Sequence, residues 1–351
     1  MMHSLRFRSI ALFLLTLALG CDSEKSTTHS GADGGGQDDG GADGSTNTGV
    51  SKSIGPEGGS LETDSGLSVE VPAGAVADAV EFQVNEVSAA SLGNPLAEEL
   101  TVNSPIFELT PHGQTFDEPV TVRLPHTNAD DFAFTVLLHS EDGETWAPME
   151  SIATETELEF SVTAFSYFVA VSAHHDIQRA ACEETTRWYK HNGAQSTDYG
   201  TPTMGCAGQV KRVPFVLLAA GGYLIDAIEI TTPSNSGHVT GYIVYETIPT
   251  SGLAGTVACA SGDTCDMKWF VRLERIQPPG QTYYPNLFAD EQGHLTDQDS
   301  VHRFDEDLGV GMETAADENT SLQLLIHADN TSGYGTTAPA GRLYYSHLRF
   351  K

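Results

Sequence analysis

From about residue 51 onward the chain is written in short runs of apolar or alternating side chains, each closed by turn-forming residues. Between 51 and 173 the runs are Leu67 to Val71, Val80 to Val87, Ile106 to Leu109, Val120 to Leu124, Phe134 to Leu138, Leu158 to Val162 and Tyr167 to Val171. Gly55-Pro56-Glu57-Gly58-Gly59, Pro72-Ala73-Gly74 and Glu141-Asp142-Gly143 punctuate them. Short strands at such spacing, with no sustained helical period, predict an all-β sandwich.

The same grammar continues from 174 to 351, with candidate strands at Val210 to Leu218, Leu224 to Ile230, Val239 to Ile248, Met267 to Ile276, Ser321 to His327 and Arg342 to Phe350. Most alternate with the period of two expected of half-buried strands. Their long polar connections point to a second antiparallel sandwich, of jelly-roll type. Asp176 to Tyr189 is expected to open this domain as a short helix.

The first fifty residues follow different rules. Arg6 and Arg8 precede a mainly apolar run from Ile10 to Leu19, closed by Gly20 and Cys21. That is the layout of a secretory signal, and it is about half as long as the roughly 20 residues that span a bilayer. Ala18-Leu19-Gly20-Cys21 resembles a bacterial lipobox, although Ala replaces the usual Leu at its first position. The resemblance implies cleavage after residue 20, acylation of Cys21 and a membrane anchor through its lipid. Residues 22–50 are Gly, Asp, Ser, Thr and Asn with almost nothing to bury, so a disordered tether with a root-mean-square span of roughly 30 Å is expected. The expected location is the cell envelope outside the cytoplasmic membrane, at the outer membrane or cell surface.

Charge removes one class of function. With 17 basic and 48 acidic residues the formal net charge is −31, a field that repels nucleic acid. No nucleic-acid partner is expected.

Several motifs in the first domain resemble, in order, the ZU-five family of β-sandwich domains. They are Ile54-Gly55-Pro56-Glu57-Gly58-Gly59, Val69-Glu70-Val71-Pro72-Ala73-Gly74-Ala75, Phe107-Glu108-Leu109-Thr110-Pro111-His112-Gly113, Phe116-Asp117-Glu118-Pro119-Val120-Thr121-Val122 and Phe165-Ser166-Tyr167-Phe168. The resemblance implies a scaffold or interaction role. Some relatives cleave themselves at a His-Phe-Ser motif. Here the residues are Ala164-Phe165-Ser166, and without a base beside the serine no self-cleavage is expected.

Candidate chemistry in the second domain is sparse. Cys182, Cys206, Cys259 and Cys265 form an even set once Cys21 is set aside, and export favours disulfides over zinc. Local pairing is the simplest of three connectivities. Tyr283, Tyr284 and Trp269, with Tyr242 and Tyr245, offer flat faces for a sugar ring or a protein partner, against the alternative that those in strands fill the core. Asp297, Asp299, Asp305 and Asp307 supply oxygen ligands that suit calcium, the one cofactor considered, against the alternative of a solvated acidic loop. His302, Asp305 and His327 would form an enzyme-like cluster if they met at the mouth of a jelly roll. No catalytic motif is present. The function expected is a non-catalytic binding or scaffold lipoprotein for a polysaccharide or protein; the rivals are an exported hydrolase and a purely structural envelope protein.

Overall fold

A computed structural model describes residues 49–92, 96–97, 100–173, 176–191, 202–234, 237–245, 247–276, 286–315, 321–330 and 340–351. All belong to one compact unit, Asn47–Lys351. Cys21 and the tether up to residue 48 lie outside the described residues, and Val50, expected to end the tether, opens the first strand.

Four antiparallel sheets account for nearly the whole unit. Sheet I runs Val50–Ile54, Val80–Val87, Ile106–Thr110, Tyr167–Ala173, Val136–Ser140, Ala147–Met149, with Leu100–Val102 also on Tyr167–Ala173. Sheet II runs Ile152–Ala153, Glu157–Ala164, Thr115–Pro125, Ser68–Val71, Gly59–Glu62. Alternate residues of these sheets, among them Phe82, Phe107, Leu109, Val120, Val122, Leu124, Phe160 and Phe168, form one core. The all-β expectation for this half therefore holds.

Sheet III runs Thr203–Met204, Arg187–His191, His238–Tyr245, Ser321–Asn330, Asp266–Ile276, Asn286–Thr296; sheet IV runs Val210–Leu217, Tyr223–Thr231, Arg342–Phe350, Thr247–Ala258, Val301–Ala315. The eight strands from Tyr223–Thr231 to Arg342–Phe350 pass from one sheet to the other at every connection except Asp266–Ile276 to Asn286–Thr296. Their neighbour order, first-eighth-third-sixth and second-seventh-fourth-fifth, is that of a jelly roll. Trp188, Ile228, Ile230, Val257, Trp269, Val271, Leu324, Ile326 and Tyr345 fill the space between its sheets.

The expected helix at Asp176 to Tyr189 is shorter in the structure. Only Asp176–Ala181 is helical (α1), and Arg187–His191 is a strand. Cys182 is tied to Cys206 just after the helix, and Trp188 is pulled into the core opposite Gly241. The run Val239 to Ile248 also divides, because the chain leaves sheet III at Tyr245 and enters sheet IV at Thr247.

The sandwiches meet through sheets I and IV. Ile106, Val136, Leu138, Val169 and Val171, on the face of sheet I away from its own core, cluster with Ile225, Phe215 and Tyr223 of sheet IV. Tyr167–Ala173 and Tyr223–Thr231 are buried on both faces as a result. Beside this seam the Arg212 side chain, only 9% exposed, bridges the halves. Its guanidinium donates to the fully buried Asp226, one bond being 2.8 Å, and to Asp131 at 2.7 and 3.2 Å, and stands 3.7 Å from the ring centre of Phe134. Burial alone would push the guanidinium's pKa down, but the hydrogen-bonded carboxylates hold it above the ordinary value.

Two substitutions test this packing. Gly241→Ala sets a Cβ about 2.5 Å from the Trp188 ring and should cost about 1–3 kcal/mol in urea unfolding. Arg212→Met leaves the Asp226 carboxylate buried without its cation and should cost about 3–5 kcal/mol, whereas Asp131→Asn, at a side chain 40% exposed, should cost much less. Equal small losses at Arg212 and Asp131 would show that the bridge adds little.

Candidate functional site

Sheet III turns one face to the jelly-roll core and the other outward. Along each strand the apolar positions face inward, and the alternate set is rich in rings and hydrogen-bonding groups. Antiparallel register aligns that set into rows. Tyr189, Thr240, His327, Phe270 and Gln292 make one row across five strands; His191, His238, Asp329, Lys268 and His294 make the next; Arg187, Tyr242, Leu325, Arg272 and Asp290 make a third. From strand spacing and rise, the three rows cover about 19 by 13 Å.

Rings on this face touch. Phe270 and His327 stack at 4.3 Å between centroids with planes 8° apart, His191 and His238 stack at 4.2 Å, and His238 leans on His327 at 5.2 Å. Tyr189 meets Tyr242 edge-on at 5.4 Å, and the Arg272 guanidinium lies 4.9 Å from the Phe270 ring centre. Polar groups are held between them. Thr240 Oγ1 and His327 Nδ1 share a 2.8 Å hydrogen bond, and Arg272 grips Asp290 with two bonds of 3.0 and 3.1 Å. The rings named are half-buried, each presenting part of its surface outward.

The electrostatics favour uncharged imidazoles. Burial lowers His327 to about 3, with help from His238, His191 and Arg272, and lowers His238 to about 4, with help from His191. Burial also lowers His191. Stacked rings do not converge their nitrogens on one point. Among the described residues no group of three or more His, Cys, Asp or Glu side chains is placed to hold a metal ion.

The residues singled out from sequence are dispersed. Tyr283 and Tyr284 lie outside the described residues. Trp269 is 2% exposed and points inward, against Phe304 at 5.7 Å and His302 at 5.1 Å. Tyr245 packs on the core, while Tyr242 faces outward. Cys182–Cys206 and Cys259–Cys265 are disulfides in the local pairing. Asp297 accepts the Cys265 N–H at 2.8 Å, Asp299 closes a turn with Thr296, and Asp305 and Asp307 are paired with Lys351. The four acidic residues thus do not gather around one point: Asp305 and Asp307 share Lys351, Asp297 caps Cys265, and Asp299 meets Thr296 through its backbone. His302, Asp305 and His327 do not meet, because His302 lies on the core side of sheet III, against Trp269, while His327 lies on the outer side.

Comparison with known proteins supports the first sandwich. Residues 50–140 match the model of the ZU5 domain, so the chain contains a ZU5 domain, as its motifs indicated. No curated protein matches the chain. One solved chain, described as concerning the promiscuous specificity of carbohydrate-binding modules from the beta-sandwich superfamily, is similar at 12% identity. The match covers 72% of this chain and 98% of that chain, with a TM-score of 0.28.

The depressed histidines make stability depend on pH with a defined sign. Their folded pKa values lie below the ordinary 6.5, so below that pH the unfolded chain binds protons that the folded chain refuses. Stability should therefore fall as pH drops from about 6.5 toward 4. In His327→Gln the urea midpoint should vary less over that range than in the wild type; an unchanged pH slope would mean that His327 is not held neutral.

Proposed function

We propose that this chain is a non-catalytic binding protein of the bacterial envelope, tethered by a lipid on Cys21, and that the outer face of sheet III receives a polysaccharide. The carrying observation is the set of contiguous rings, Tyr189, Tyr242, His191, His238, His327 and Phe270, interleaved with Arg272, Asp290 and Thr240 on one face of the sheet. Sugar rings have apolar C–H faces and hydroxyl rims, and such a surface offers a counterpart to each: ring faces for stacking, and fixed polar groups for hydroxyls. Neutral imidazoles suit the purpose because they both donate and accept. The rigid sheet fixes the rings before binding, which lowers the ordering cost of association.

Two sequence features support the envelope assignment: the signal-like segment ending at Cys21 and the Gly/Asp-rich tether that follows. The ZU5 domain then stands between the tether and the jelly roll as a folded spacer. Cys21→Ser should abolish labelling by a radioactive fatty acid, whereas globomycin should leave a labelled but uncleaved precursor; labelling that persists in Cys21→Ser would contradict the anchor.

Binding is tested by titrating the full chain, in detergent, against neutral oligosaccharides such as cello-, chito- and xylo-oligomers. Saturable binding of at least one, weakened by about tenfold in Tyr242→Ala and in Phe270→Ala, each substitution removing about 1–1.5 kcal/mol of ring contact, is the expected result. Binding that these substitutions leave unchanged would place the ligand elsewhere, and product release during titration would favour a hydrolase.

A further inference from the structure

Cations are scarce in this chain, and about half of those in the described segments are matched to acids. Arg123 pairs with Glu159 and Glu70, Arg179 with Asp176, Lys211 with Glu229, Arg272 with Asp290, Arg342 with Asp263, and Lys351 with Asp305 and Asp307. Arg303 and Arg349, like Lys52, Arg187, Lys190 and Lys268, have no ion-paired acid among the described residues, and these two stand together. Both are exposed and line a cleft of about 310 Å³ on the outer face of sheet IV, where it meets the first sandwich beside Ala97 and Leu100. Arg349 donates only to the His347 carbonyl, at 3.4 Å, and among the described residues neither guanidinium has a carboxylate partner.

The fold brings them together by register. Thr247–Ala258 runs between the strands that carry the arginines; Thr256 stands opposite Arg303, and Ala254 stands opposite both Arg349 and Asp305. Small side chains at Ala254 and Thr256 leave the floor open between two long cationic ones. A backbone irregularity widens the same place. Asp226 and His347, the described non-glycine residues with positive φ (53° and 55°), lie where the ladder between their strands stops, and Ser346 Oγ bridges to the Ile225 carbonyl at 2.7 Å. The result turns His347 into the cleft. Asp305, the acid in the lining, is ion-paired with Lys351, which it shares with Asp307.

We propose that this cleft is an anion site that takes a small ligand bearing a carboxylate or sulfate group, of about monosaccharide size, with Arg303 and Arg349 gripping the acid and Thr256 and Tyr223 supplying hydrogen bonds. Guanidinium forks match the two-oxygen edge of such acids. The volume is near the lower end of small-molecule sites, about 300 Å³, which suits one sugar unit. A net charge of −31 opposes extended polyanions, so a compact anion held by local cations fits better than an acidic polymer. The site lies on the opposite sheet of the jelly roll from the ring-bearing face, so the two stand or fall separately.

The test is calorimetric titration of the full chain with glucuronate, inorganic sulfate and neutral glucose, up to about 10 mM, tenfold above the millimolar Kd that a ligand of this size can show. Saturable binding of glucuronate or sulfate, with glucose silent, is expected; the tighter of the two identifies the acid. Arg303→Gln and Arg349→Gln should each weaken it by about fivefold or more, with unfolding curves unchanged because both side chains are exposed, while Tyr242→Ala leaves it intact. Failure of both anions to bind, equal binding of glucose, or unchanged affinity in the double arginine variant would overturn the proposal.

Discussion

The folded unit depends on two sheets that each bury a strand on both sides, Tyr167–Ala173 and Tyr223–Thr231. Sheet I gives one face to the ZU5 sandwich and the other to the seam, and sheet IV does the same for the jelly roll. A strand in that position cannot alternate polar with apolar, and Phe168-Val169-Ala170-Val171 does not. The most deeply buried acid is Asp226, on a seam strand that also buries Glu229. An ionised carboxylate there persists only with a compensating cation and further hydrogen bonds. Arg212 supplies the cation, and by reaching Asp131 it fastens one sandwich to the other. Position and chemistry coincide, since the residue that most needs a partner sits where the halves have to be joined.

The seam decides which surfaces remain for function. Covering one face of sheet IV leaves sheet III as the jelly-roll sheet whose outer side is not committed to the other sandwich. That side carries the rings. Core packing governs the inward residues of the same strands, Trp188, Ile243, Trp269, Val271, Leu324 and Ile326, and leaves the outward positions free to carry chemistry.

Much of this was legible in the sequence, and the limits have physical causes. Strand content and punctuation were readable because half-buried strands alternate and turns need Gly, Pro, Asn or Asp. The ZU5 motifs were readable because several occurred in order. The disulfide set followed from the even cysteine number and the export expected from the signal-like segment. The site was not readable, because a ring is an equally good core or surface residue until its strand's facing is known. Trp269 and Tyr242 have the same aromatic character, yet one is in the core and the other faces outward. His191, His238 and His327 are distant in sequence and become neighbours only through antiparallel register, a long-range property. The acidic run around Asp297 to Asp307 has the same limit: proximity along a chain that turns and then extends is not convergence in space.

The proposed ligand surface is the outer face of sheet III. Hydrogen–deuterium exchange of the full chain, with and without a bound neutral oligosaccharide, tests it directly. Protection should rise along Arg187–His191, His238–Tyr245, Asp266–Ile276 and Ser321–Asn330, with sheets I and II unchanged. Protection confined to the ZU5 sandwich, or to sheet IV with sheet III unaffected, would contradict the claim.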